Sequence, residues 1–326
     1  MQAFKLLPTM LLSLVIIMPQ AYSQKLKSGK SPQDYKQYQP DFSRLQADKE
    51  FYPEYRSLGE TAKKEGFKRS LFEKRVALME KYVNKNPKDV DALWLLTNDI
   101  MRLGESYDSS KPDELVKAKE SILKAEKVAE RCLELRPNFP LCQFFLGAAI
   151  GKIATIDGIF ASLNKGKKVL NLWISTYQSN MDYQFEDGYA LQGLVRYALG
   201  IYHRVVPDFF LLRWVFGISG DMDISIAMHQ ESLAFKGGGG PCGYLELSVS
   251  MLCKTKGNTK EPLTAKAFQH LDKVSKLTTN SEDTLICIQD AGRLRQDPSI
   301  ACGYTKAKQQ ETDEEAMKAQ LDKQRS

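Results

Sequence analysis

The chain has 326 residues, with 46 basic and 40 acidic side chains and a formal net charge of +6. That excess is small and spread along the chain, and no Lys/Arg cluster alternates with aromatics, which argues against nucleic-acid binding. Alternating β-branched runs are few, while apolar residues recur at helical spacing almost throughout, so an all-α fold is expected.

The N-terminus reads as a secretory signal over residues 1–23. Lys5 supplies the positive region. Leu11, Leu12, Leu14, Val15, Ile16, Ile17 and Met18 supply the apolar one, and Ala21-Tyr22-Ser23 a cleavage site before Gln24. The apolar run is too short for an ordinary spanning helix; an uncleaved anchor is the rival reading. No cysteine lies near the cleavage site, so a lipid anchor is not supported. The mature chain is then exported, periplasmic or secreted. Residues 24–41 are polar and read as a linker.

A helical domain follows over 42–303. Leu71, Val76, Leu78, Met79 and Tyr82 define a helix over 68–85, and Leu93, Leu96, Ile100 and Leu103 a second over 89–104, with Gly104 as its C-cap. Pro112 opens a helix to about 135. Further helices are expected over 140–155, 165–181, 184–204, 208–217, 221–235, 242–254, 262–277 and 281–294, about ten in all. Gly237 to Gly240 must break the chain. Residues 304–326 are a charged tail, solvated as helix or disordered.

Six cysteines in an exported chain favour disulfides. Cys132 and Cys142 flank one helix junction and make the most plausible pair. Cys242 and Cys253 flank one helix of roughly 16 Å, too long for a bond between them. Cys287 with Cys302 fits a hairpin around Asp297-Pro298.

Catalytic signals are weak. Gly147-Ala148-Ala149-Ile150-Gly151-Lys152-Ile153 looks like a phosphate loop but lacks the glycine spacing and the Ser/Thr; helix packing through small residues explains it better. His203, His229 and His270 form no metal spacing, and Asp221 and Asp223 suit a helix N-terminus. Neither cofactor nor metal is expected, and no enzyme constellation is seen. The run 209–216 is either a core helix, the favoured reading, or an exposed patch that docks a partner or a membrane surface.

Two stretches echo each other around a proline. One is Lys85-Asn86-Pro87-Lys88-Asp89, the other Leu135-Arg136-Pro137-Asn138-Phe139-Pro140. Each joins two amphipathic patterns and resembles the helix junction of a tetratricopeptide repeat. Nine and ten residues past Pro137 stand Leu146 and Gly147, as that signature asks; past Pro87 stand Leu96 and the departure Thr97. The prolines lie 50 residues apart, more than the repeat's usual 34, so an insertion falls near 104–114. Residues 220–234 look like a further half-repeat. With Leu199-Gly200-Ile201-Tyr202-His203-Arg204-Val205-Val206-Pro207 and Gly220-Asp221, the stretch 70–255 resembles degenerate repeat proteins of bacterial periplasms. These include the tetratricopeptide-like auxiliary component of TRAP-type solute transporters.

The resemblance implies a helical-hairpin solenoid with a concave face. By analogy that face takes Asp91, Trp94, Asn98 and Met101 from one unit and Leu141, Phe144, Ala148 and Gly151 from the next. As a ligand site, Trp94 and Phe144 would give apolar walls and Asn98 hydrogen bonds; another helix against the two small residues is the other reading. The function expected is a non-enzymatic scaffold binding a protein partner or peptide. The alternative is a small-solute-binding auxiliary component of a TRAP-type transporter. A deep cavity would favour a small ligand; an open groove with exposed Trp94 would favour a peptide or protein.

Overall fold

The computed structural model describes Leu26 and residues 30–66, 68–109, 111–279, 282–306, 308–313, 315–317 and 319. The signal-segment reading of 1–23 lies outside these residues. The fold is all-α. Its helices are α1 (Ser43–Ala47), α2 (Tyr52–Glu65), α3 (Arg69–Lys85), α4 (Val90–Glu105), α5 (Pro112–Leu135), α6 (Pro140–Asp157) and α7 (Leu163–Gln178). Then follow α8 (Leu191–Val205), α9 (Phe210–Phe216), α10 (Met222–Ser232), α11 (Pro241–Thr255), α12 (Pro262–Val274) and α13 (Glu282–Gln296). Among the described residues no helix is long and apolar enough to cross a membrane.

Helix starts follow from local chemistry. Pro112, Pro140, Pro241 and Pro262 each occupy the first turn of a helix, where the missing N–H leaves no bond unmade. Asp89 caps α4 by accepting the Ala92 N–H at 3.0 Å, and Asp221 caps α10 by accepting those of Asp223 and Ile224. The second proline junction turns through Asn138, whose φ of 63° lies in the left-handed region that asparagine tolerates. Gly104 is not a cap, because α4 runs on to Glu105. It gives α5 room: a Cβ there would stand 2.5 Å from Ile122 Cδ1.

Helices pack as hairpins, α4 on α5, α5 on α6, α6 on α7, α8 on α10, and α11 on α12. The first helices of these hairpins, α4, α6, α8 and α11, also lie side by side. They form the inner layer of a solenoid. The core falls into one large cluster that runs from α1 to α10, a second around α11, α12 and α13, and a small third one of Tyr35, Ala190 and Phe235.

The expected helix start at 184 is corrected. Met181–Asp182 forms strand β2, paired in parallel with β1 (Lys36–Gln37). Residues 185–189 then make a tight turn in which the Phe185 N–H donates to the Tyr189 carbonyl at 2.8 Å. Gly188, at φ 89°, supplies the left-handed residue. The helix starts only at Leu191. The described part of the polar stretch 24–41 is therefore fastened to the domain through β1. Tyr35 is buried, and its hydroxyl accepts from Arg196 at 2.8 Å.

All six cysteines are bonded. Cys132–Cys142 joins α5 to α6 as expected. The pairing of Cys287 with Cys302 is corrected to Cys242–Cys287 and Cys253–Cys302. The cause is packing: α13 and the turn after it lie along α11. Each end of α11 then faces a different cysteine, with Cα separations of 5.2 and 4.6 Å. The second bond anchors the C-terminal stretch, in which Tyr304, Gln310 and Met317 are buried.

Candidate functional site

The expected inner-face residues divide into two groups. Asp91 and Trp94 lie where the chain has covered its own concave face. Trp94 is 1 % exposed. Its ring meets Tyr183 at 5.0 Å and Phe185 at 6.3 Å from the turn before α8, and Phe42 at 6.1 Å from the N-terminal stretch. Asp91 accepts the Trp94 indole N–H at 2.9 Å, the Tyr38 hydroxyl at 2.8 Å and the Asp41 N–H at 2.9 Å. Burial and the Asp91 carboxylate push the Tyr38 hydroxyl up to about 12. An exposed aromatic groove at Trp94 is thus absent from the described residues. Asn98 is half-buried and stands outside the cavity described next.

Met101, Phe144, Ala148 and Gly151 are brought together. With them the inner layer lines a half-open cavity of about 300 Å³. Helix α4 contributes Met101 and Glu105; α6 contributes Phe144, Ala148, Gly151 and Thr155. Trp173 and Val169 come from α7, and Leu194, Ala198, Ile201 and Val205 from α8. The small residues of α6 serve the neighbouring helix first. A Cβ on Gly147 would stand 2.4 Å from Trp173 Nε1, and one on Gly151 3.2 Å from its ring. Trp173 donates to the Phe144 carbonyl at 3.3 Å. Its indole therefore forms a fixed wall.

One end of the cavity carries a buried ion pair. Arg204 donates to Glu246 at 2.7 Å, and both side chains are at most 2 % exposed. Removing two charges from water is costly unless their remaining hydrogen-bonding capacity is met. Here Arg204 also donates to the carbonyls of Ala301, Cys302 and Tyr304. The C-terminal stretch is thereby drawn over the cavity, to which it adds Thr305 and Lys306. Beyond them Gln310 accepts the Ile159 N–H and donates to the Thr155 carbonyl, each at 3.0 Å.

Arg204, Glu246, Thr305 and Lys306 were not expected at the site. For one of them a signal exists: Glu246 is the single charge in the stretch 237–253, whereas Arg204 shares its helix with Arg196. Thr305 and Lys306 reach the site only through the tertiary path of the tail. The histidines lie apart from the cavity. His203 and His229 are each 1 % exposed, and burial lowers them to about 4 and about 3. No group of His, Cys, Asp and Glu able to hold a metal is found among the described residues.

No family model matches the chain, and a search of curated proteins finds no similar sequence. The three disulfides fit an exported protein.

Proposed function

We propose that this exported chain is a non-enzymatic binding protein whose ligand is a small, largely apolar molecule held in the inner-layer cavity. The observation that carries this reading is the cavity itself. About 300 Å³ is bounded by apolar side chains from four helices, at the small end of ligand sites. The other part of the concave face, around Trp94, is filled by the chain's own segments, which leaves a peptide no aromatic groove there. Four basic side chains, Lys152, Lys165, Arg204 and Lys306, border the cavity against two carboxylates, Glu105 and Glu246. Lys152, Lys165 and Arg204 are already paired with Glu105, Glu126 and Glu246, so the border favours neither sign of charge strongly and the apolar walls dominate the choice of ligand. In a TRAP-type setting the same cavity would receive the transported solute.

The test combines mass spectrometry of organic extracts with binding of an apolar fluorescent dye, anilinonaphthalene sulfonate. Wild-type protein is expected to carry an extractable small molecule and to bind the dye once stripped. Ala148→Trp fills the cavity and should lose both while melting near the wild-type temperature. A stripped wild type that ignores the dye would overturn the reading, as would Ala148→Trp binding undiminished.

A further inference from the structure

The half-open cavity is apolar along its walls and polar at one end. Helix α8 turns one stripe toward it, with Tyr197, Ile201 and Arg204 at helical spacing. The Tyr197 ring is held edge-on against His229, with centroids 5.7 Å apart. Its hydroxyl has no hydrogen-bond partner among the described residues, whereas other polar groups of the lining bond to the chain itself. Thr155 donates to the Lys152 carbonyl at 2.8 Å, Thr305 to that of Lys308 at 2.6 Å and Trp173 to that of Phe144 at 3.3 Å. A hydroxyl kept from water without a partner is costly.

Glu246 borders the same cavity from α11, which packs beside α8. Arg204 engages its Oε2 at 2.7 Å, and Oε1 accepts no hydrogen bond among the described residues. Burial first, and then the Glu246 carboxylate, push the Tyr197 hydroxyl well above its ordinary 10. That hydroxyl stays protonated at neutral pH, a donor near a carboxylate that only accepts. The two do not bond each other, so together they call for a group that accepts from one and donates to the other. A hydroxyl does both. A carboxylate cannot donate to Glu246, and an ammonium cannot accept from Tyr197.

We infer that the cavity selects a neutral apolar molecule ending in a hydroxyl, an alcohol or a phenol, with Tyr197 donating to its oxygen and Glu246 Oε1 accepting its O–H. This rests on the proposal that the cavity takes a small ligand, and adds the chemistry of that ligand's polar end. Sites built to hydrogen-bond a hydroxyl reject the analogue lacking it far more sharply than a pocket rejects a change of size. The paired charges of the border agree with a neutral ligand, since they favour neither an anion nor a cation strongly.

The test titrates the stripped mature protein calorimetrically with 2-naphthol, naphthalene and 2-naphthoate, which share one ring system. Wild type is expected to bind 2-naphthol about tenfold more tightly than either of the others. Tyr197→Phe should cut the preference over naphthalene to about threefold or less, without lowering the melting temperature, because the oxygen it removes bonds nothing in the protein. The core-helix reading of 209–216 holds for Phe209 and Leu212, which are buried, whereas Phe210 and Trp214 are 67 % and 72 % exposed. That outer pair is a second apolar surface, so the titrations are repeated in Phe210→Ser, Trp214→Ser, where the same preference is expected. Equal binding of 2-naphthol and naphthalene would overturn the inference and leave the cavity proposal standing. So would tighter binding of 2-naphthoate, a full preference in Tyr197→Phe, or a preference lost with Phe210 and Trp214. Binding of none of the three would overturn both.

Discussion

The indole N–H of Trp94 and the hydroxyl of Tyr38 converge on one oxygen of Asp91, at 2.9 and 2.8 Å. The other oxygen accepts the Asp41 N–H. One carboxylate thus fixes the aromatic filling of the concave face and the path of the N-terminal stretch. Asp91→Ala leaves a buried indole N–H unmade and frees the stretch. A loss of about 3 kcal/mol is expected in urea unfolding, with faster amide exchange over 36–41.

Two glycine substitutions should act in opposite directions. Alanine in a helix interior gains roughly 0.5–1 kcal/mol over glycine. At Gly292 in α13 an added Cβ would meet nothing within 4 Å, so Gly292→Ala should raise stability by that amount. At Gly147 the new Cβ would overlap the Trp173 indole. Overpacking of about 1–3 kcal/mol then outweighs the helix gain. Gly147→Ala should melt lower and bind apolar dye less well, because Trp173 must move.

Acid should unfold this protein through its buried histidines. An unfolded histidine titrates near 6.5, whereas His203 and His229 are held to about 4 and about 3. Below pH 6.5 the unfolded state binds protons that the folded state refuses. Stability present at neutral pH is therefore lost as pH falls from 6.5 toward 4, by on the order of a few kcal/mol. His229→Leu should flatten that dependence. An unchanged slope in denaturant titrations across this range would count against the account.

The bond between Cys253 and Cys302 closes a sequence separation of 49 residues. Removing it as Cys253→Ala, Cys302→Ala should lower stability by about 2–4 kcal/mol. Amide exchange should rise most at residues 304–310, and bound dye should leave the cavity faster. The carbonyls that hold Arg204 belong to Ala301, Cys302 and Tyr304, at and beside the bond, so its loss also exposes a buried charge.

Much of the helical plan was legible, because α3 to α6 have regular apolar spacing and α4, α5 and α6 have sharp aspartate or proline starts. The inner-layer register placed Met101, Phe144, Ala148 and Gly151 together. It did not show that Asp91 and Trp94 would be covered, since the covering groups, Tyr38 and Tyr183, come from segments with no helical period. The turn before α8 carried its own sign in Asp187-Gly188, which the apolar pattern around it masked. The disulfide partners of α11 depended on where α13 packs, a tertiary fact that cysteine spacing does not encode. The tail looked solvated by composition, yet a few residues suffice to hold it: Tyr304, Gln310 and Met317.

A stack of helical hairpins ordinarily behaves like a spring, each unit answering only to its neighbours. Here β1 pairs with β2 across the middle of the chain, and Gln310 reaches back to Ile159 over a separation of 151 residues. Both ends of the spring are tied to its centre. Such an object resists stretching and cannot fray from one end without breaking a distant tie. Its unfolding should approach a single all-or-none event, and force applied to its termini should meet a stiff clasp in place of a compliant coil.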